Sequence, residues 1–190
     1  MKNIIFAGVG GQGVILASKI LMEVAKNAGY DVKESEVHGM AQRGGSVDCN
    51  VRYGEKVYSP LIPRAGADYI VSLELLETMR KMEFLAPEGA LIVNMEKIDP
   101  APVQTGAMAY PPDLKEWIEK NVKKSLFVDT AETLKEVGTR RALNIVMLGV
   151  LSKYLEFDEA MWMTAIKSMV KEKFVEMNVK AFTMGRALAR

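Results

Sequence analysis

A chain of 190 residues, 49% hydrophobic and 26% charged with a formal net charge of +1, is sized and composed for one globular domain over residues 1–190. Its near-neutral charge gives no electrostatic case for a nucleic-acid or membrane partner. The single cysteine, Cys49, and single histidine, His38, exclude an intrachain disulfide and argue against an iron–sulfur cluster, which takes about four thiolates, and against a Cys/His zinc site.

The chain opens on an apolar strand over residues 2–8, as expected for a strand buried on both faces. Met1-Lys2 followed by apolar residues resembles a signal peptide. The run breaks at Gly8, however, and no small-residue cleavage site follows. With no stretch near the ~18 apolar residues of a membrane span, a cytoplasmic protein is expected. Val14, Ile15, Ile20, Leu21, Val24 and Ala25 recur at helical spacing between Gln12 and Ala28, and Gly29 stops the helix.

A second strand is expected over Asp31–Val37, then the loop "HGMAQRGG" and an alternating strand Val47–Tyr53. With Gly54-Glu55 as a turn, this strand is predicted to form a β-hairpin with Val57-Tyr58. Further strands are expected at Tyr69–Leu73, Ala90–Asn94 and Leu126–Asp129. Helices are expected at Leu75–Met82, Asp113–Asn121 and Thr130–Val137, with turns at Pro87–Gly89 and a surface stretch from Asp99 to Pro112. From Arg140 the pattern is helical, with breaks near Phe157 and Lys173. The fold class predicted is α/β: an open Rossmann-like sheet, mostly parallel with an inserted β-hairpin, and a helical C-terminal third. Met161, Met163, Met169, Met177 and Met184 fall in that third, as core filler or as a surface that repacks against a partner.

"FAGVGGQG" carries the first candidate site. Gly8, Gly10 and Gly13 spell G-x-G-x-x-G between strand and helix, a pattern that permits a tight turn, close approach of a ligand and close helix packing. Backbone N–H groups around Gly10, Gly11, Gln12 and Gly13 would face an anion. Ser18 and Lys19 are wrongly placed for a P-loop. Glu34 and Glu36 fall where a dinucleotide site has its ribose-binding acid. The same turn serves any strand-to-helix connection, so a structural role, a phosphate or nucleotide contact and nicotinamide chemistry all remain open.

The second candidate is the loop at the end of the second strand, with Ser35, His38, Gln42, Arg43, Gly44 and Gly45. Ligand crevices of α/β sheets lie at such carboxyl ends. Arg43 beside two glycines suits clamping an anion or a partner carboxylate. There is no G-x-S-x-G elbow and no Ser/His/Asp set, so no catalytic residue is assigned. Both candidate regions are expected to face one crevice.

"GVGGQG", "SEVHGMAQRGG", "SPLIPRAGADYIVSLELLETMR" and "RALNIVMLG" together resemble the gamma-type subunit of 2-oxoacid:ferredoxin oxidoreductases over essentially the whole chain. The H-G-M-A-Q-R-G-G loop resembles the indolepyruvate branch, whose short subunit is called beta. The resemblance implies an accessory subunit of a hetero-oligomer. In such enzymes a large alpha subunit carries thiamine diphosphate and iron–sulfur clusters, a 2-oxoacid is decarboxylated, electrons pass to ferredoxin and the acyl group goes to coenzyme A. It implies no cofactor of this chain's own, with coenzyme A or the large subunit meeting the glycine turn and the Arg43 loop. Gamma subunits of pyruvate, 2-oxoglutarate or ketoisovalerate enzymes are the alternatives within the family. A free-standing NAD- or nucleotide-binding oxidoreductase is the alternative outside it.

Overall fold

The computed structural model describes residues 1–39 and 44–189. Its six strands are β1 (Lys2–Val9), β2 (Asp31–His38), β3 (Ser46–Gly54), β4 (Ala67–Ser72), β5 (Leu85–Asn94) and β6 (Ser125–Val128). They form one sheet in the order β2-β3-β1-β4-β5-β6. β1, β4, β5 and β6 run parallel, while β3 lies antiparallel to both β1 and β2. β2 therefore points the same way as β1, one strand removed from it.

The hairpin is thus β2–β3, not a pairing of Val47–Tyr53 with Val57-Tyr58. Both edges of β3 are already taken by β1 and β2, which leaves no ladder for residues 57–58. Val57 is instead buried, its N–H donating to Asp31 Oδ2 at 2.9 Å, and Tyr58 points to solvent. That bond is the main reason the Asp31 carboxyl is held below the usual carboxylate range. Pro87–Gly89 also departs from expectation. It lies inside β5 at an irregularity, where Ala67 faces Leu85 and Tyr69 faces Ala90.

Among the described residues eight α-helices surround the sheet: α1 (Val14–Asn27), α2 (Leu75–Lys81), α3 (Ala101–Gln104), α4 (Leu114–Asn121), α5 (Ala131–Val137), α6 (Leu143–Ser152), α7 (Glu159–Met169) and α8 (Val175–Leu188). Strand alternation sends Ile4 and Phe6 of β1 into one core and Ile5 into the other. The first core takes α1, α6, α7 and α8; the second takes α2 and α4.

α6 is buried along its whole length and crosses α8 through facing glycines. A Cβ on Gly149 would strike the Phe182 carbonyl, and one on Gly185 the Val146 carbonyl. Tyr30, Tyr53, Phe157, Trp162 and Phe182 form a chain of ring contacts with centroids 5.2–6.1 Å apart. Met161, Met163 and Met169 pack against this core, which is the filler role. Among the described residues no helix is long and apolar enough to cross a membrane.

Candidate functional site

α1 leaves β1 toward one face of the sheet and α2 leaves β4 toward the other. The boundary between β1 and β4 is therefore the topological switch point, where an open α/β sheet has its crevice beyond the carboxyl ends of the strands. The glycine turn occupies that place. Gly8 is the penultimate residue of β1, within its buried part, and a Cβ there would lie 2.8 Å from Gln12 Oε1 and 3.1 Å from Leu73 Cβ. Gly11 is exposed at φ 105° with open space around it.

Gln12 does not extend toward solvent. Its Oε1 accepts the Val9 N–H at 2.8 Å, and its Nε2 donates to the Leu73 carbonyl at 3.0 Å and to Glu96 Oε2 at 3.1 Å. One side-chain amide thus spans the switch point and ties the end of β1 to the residue after β4. Gly13, at φ 82°, precedes the helix without a side-chain cap. Asn144 of α6 lies over it, donating Nδ2 to the Gly13 carbonyl at 3.1 Å. A Cβ on Gly13 would stand 2.6 Å from that nitrogen.

The first turn of α1 carries no acidic residue, so no acid of the helix's own first turn offsets the positive end of its dipole. Gly44 and Gly45 lie directly against the glycine turn. The Gly10 N–H donates to the Gly45 carbonyl at 2.8 Å, and the Gly44 N–H to the Gly10 carbonyl at 3.4 Å. Turn and loop therefore share one edge of the sheet, although β1 and β2 are not neighbours. Gln42 and Arg43 lie outside the described residues.

His38 ends β2 with its backbone opposite Val47. Ser35 is not gathered into the site. It sits opposite Asn50, three residues and about 10 Å back from the strand end. Glu34 and Glu36 are not gathered in either, since both are tied to α1: Glu34 accepts from Ser18 Oγ and Glu36 pairs with Lys19 at 3.2 Å. Burial pushes the Glu34 carboxyl above its ordinary range against that hydrogen bond. The antiparallel β3 moves these acids a further ~4.8 Å from β1, away from the place a ribose would take beside the turn.

Polar side chains that sequence reasoning did not single out tie the start of β3 to α2. Ser46 donates to Glu77 Oε2 at 2.6 Å and Arg80 to Glu77 Oε1 at 2.7 Å, while Lys81 pairs with Asp48 at 2.7 Å. Burial raises the Glu77 carboxyl, against the opposing pull of Ser46 and Arg80. Buried Glu74 caps α2 through the Glu77 N–H and accepts from the Ile98 N–H and the Tyr110 hydroxyl. Burial and this hydrogen bond both raise the Tyr110 phenol.

Beside the turn, an open cleft of about 820 Å³ lies between residues 94–96 at the end of β5 and residues 129–140 around α5. Cys49 is buried under α1 with its thiol pushed up to about 12 by desolvation, which suits packing and not nucleophilic chemistry. Among the described residues no group of three or more His, Cys, Asp or Glu is placed to hold a metal ion.

Asn144 was also missed, although it is the one polar residue inside "ALNIVMLG", which was a signal that could have found it. Glu96 and Glu74 carried no local signal, because their partners are distant in sequence.

Comparison with known proteins places this edge in context. The family model described as pyruvate ferredoxin/flavodoxin oxidoreductase matches residues 3–188. The indolepyruvate oxidoreductase subunit IorB of Archaeoglobus fulgidus is 40% identical over 188 residues, covering 96% of this chain and 92% of the relative. The gamma subunit of a keto/oxoacid ferredoxin oxidoreductase from Geobacter sulfurreducens PCA has TM-score 0.72 at 25% identity, covering 100% of this chain and 98% of that one.

A longer chain, the 2-oxoglutarate:ferredoxin oxidoreductase of Magnetococcus marinus with 2-oxoglutarate, coenzyme A and succinyl-CoA bound, shares the fold. Its TM-score is 0.74 at 20% identity, over 99% of this chain and 31% of that one. The family match runs from β1 to the end of α8, so the whole fold carries it and not the glycine motif alone: the chain belongs to the pyruvate ferredoxin/flavodoxin oxidoreductase family.

Proposed function

We propose that this chain is the small, beta-type subunit of an indolepyruvate:ferredoxin oxidoreductase. It would complete the coenzyme A-dependent oxidative decarboxylation of aryl 2-oxoacids together with a larger alpha subunit. The observation that carries the reading is 40% identity to an indolepyruvate oxidoreductase subunit across nearly the full length of both chains. In this reading thiamine diphosphate and the iron–sulfur clusters belong to the large subunit, which passes electrons to ferredoxin in the cytoplasm. The donor set here does not fit a cluster, since the sequence has one cysteine whose thiol is buried and raised to about 12, and the sequence carries no G-D-G…N signature for thiamine diphosphate.

The residues fit coenzyme A better. Exposed Gly11 and the acid-free first turn of α1 offer N–H groups and a positive dipole end to a phosphate, beside the Gly44–Gly45 backbone that braces Gly10. Arg43 would add a planar fork there. Coenzyme A supplies the thiol that accepts the acyl group; the role of this chain is to bind and orient its anionic portion. Gamma subunits of pyruvate, 2-oxoglutarate or ketoisovalerate enzymes remain the rival within the family. A nicotinamide enzyme is disfavoured because Glu34 and Glu36 are engaged with α1.

The test is co-expression with the large subunit, followed by indolepyruvate-dependent dye reduction with and without coenzyme A. The lone chain should be colourless and inactive, and the complex should prefer indolepyruvate. A preference for pyruvate or 2-oxoglutarate would select the rival. Arg43→Ala should weaken coenzyme A or subunit binding about tenfold to a hundredfold, the loss of one charge-assisted bond, with the fold intact.

A further inference from the structure

The Gln12 amide is held at its outer end by Glu96, the second residue beyond β5. Glu96 Oε2 accepts from Gln12 Nε2 at 3.1 Å, its backbone carbonyl accepts the Leu75 N–H at 3.1 Å, and its Oε1 accepts from Arg140. The Glu96 side chain is 21% exposed and that of Arg140 82%. The two residues stand on different walls of the 820 Å³ cleft, one following β5 and the other following α5.

Glu96 matters to the turn because a carboxylate only accepts hydrogen bonds. Together with the Leu73 carbonyl it presents two acceptors to one end of the Gln12 amide, which directs Nε2 toward them and Oε1 toward the Val9 N–H. A neutral amide at position 96 could rotate and offer a donor instead, weakening that preference. Arg140 lies four residues before Asn144, which pins Gly13 from the other side. Both attachments of the turn therefore lead back to residues 140–144.

We propose that Glu96 is a positioning residue for the glycine turn, acting through Gln12, with Arg140 as the counter-ion that holds its carboxylate across the cleft. The turn's geometry is then coupled to the closure of the cleft by this ion pair. Because Arg140 is mostly exposed, its share is salt-sensitive and smaller than that of Glu96.

The experiment uses Glu96→Gln, Glu96→Ala, Arg140→Ala and Arg140→Lys, with two readouts. In the full chain, backbone amide exchange at residues 9–13 should quicken about tenfold in Glu96→Ala and about twofold to fivefold in Arg140→Ala, with Ile4–Ala7 unchanged, as expected for local loosening. Arg140→Lys should restore slow exchange in part. Raising the salt concentration should quicken exchange in the wild type but not in Arg140→Ala.

In the assembled enzyme, Glu96→Gln and Glu96→Ala should raise KM for coenzyme A several-fold while kcat stays within about twofold, the pattern for lost uniform binding. This kinetic half rests on the coenzyme A reading; the exchange half does not. Unchanged exchange at residues 9–13 in Glu96→Ala overturns the proposal. Quickened exchange with no response of KM supports the positioning role and counts against coenzyme A at the turn.

Discussion

Gly13→Ala tests how the turn is built, because two separable costs meet at that position. The backbone stands at φ 82°, where an L residue other than glycine costs about 1–2 kcal/mol. The new Cβ would also lie 2.6 Å from Asn144 Nδ2. Asn144 must then swing away and give up its bond to the Gly13 carbonyl, worth about 0.5–1.5 kcal/mol. The sum, about 1.5–3.5 kcal/mol, corresponds to a fall in Tm of about 3–14 °C for a chain of this size.

Gly11→Ala is the control. It too has positive φ, at 105°, but nothing lies within 4 Å of its Cβ, so only the backbone cost of about 1–2 kcal/mol applies. Asn144→Ala alone removes one of two donors to the Gly13 carbonyl, which keeps the Ala17 N–H at 3.1 Å, and should cost about 0.5–1.5 kcal/mol. In the double variant Gly13→Ala/Asn144→Ala, the methyl enters space that Asn144 has left. The two losses should therefore fall short of additivity by about 1 kcal/mol, which is large enough to resolve in a double-mutant cycle. Urea titration of the wild type and the four variants at one pH supplies the numbers. A Gly13→Ala loss no larger than that of Gly11→Ala, with strict additivity in the cycle, would refute the contact.

Three further outcomes follow from the same structure. Gly185→Ala puts a methyl against the Val146 backbone at the α6–α8 crossing; since backbone cannot yield as a side chain does, unfolding should come about 3 kcal/mol earlier or more, read as a lower urea midpoint at unchanged m-value. Glu77 has its carboxyl raised above 4.5 by burial, so the folded state binds the proton more tightly than the unfolded one. Its contribution should make stability fall as pH climbs from 4.5 through the folded pKa, and the Glu77→Gln variant should lose that part of the slope in urea titrations between pH 4.5 and 7. Cys49, raised from 9.0 to about 12, should react with a thiol reagent at pH 8 on the order of a thousandfold more slowly than in urea-unfolded protein; labelling at the unfolded rate would contradict its burial.

Much of this protein is determined by its sequence alone. Ile4, Ile5 and Phe6 form an unbroken apolar run, so a central strand buried on both faces follows from local pattern. G-x-G-x-x-G fixes a strand–turn–helix at residues 8–13, and the helical breaks near Phe157 and Lys173 are visible because each lies between periodic runs. The motifs spread between residues 8 and 149 also resemble one family, the one to which the chain belongs.

What only the tertiary structure decided are relations between segments. The pairing of β3 with β1 and β2 is one such relation: Val47–Tyr53 alternates equally well for any partner, and only the sheet order shows that no edge remains for Val57 and Tyr58. The fate of Gln12 is another. Its sequence position beside the glycines suggested a ligand contact, but its amide closes on Val9, Leu73 and Glu96. Glu34 likewise stands at the spacing of a ribose-binding acid yet faces Ser18, because an antiparallel strand intervenes. Local propensity and periodicity act over a few residues. Hydrogen bonds that join residues 12 and 96, or 13 and 144, depend on the path of the chain between them, which no local pattern encodes.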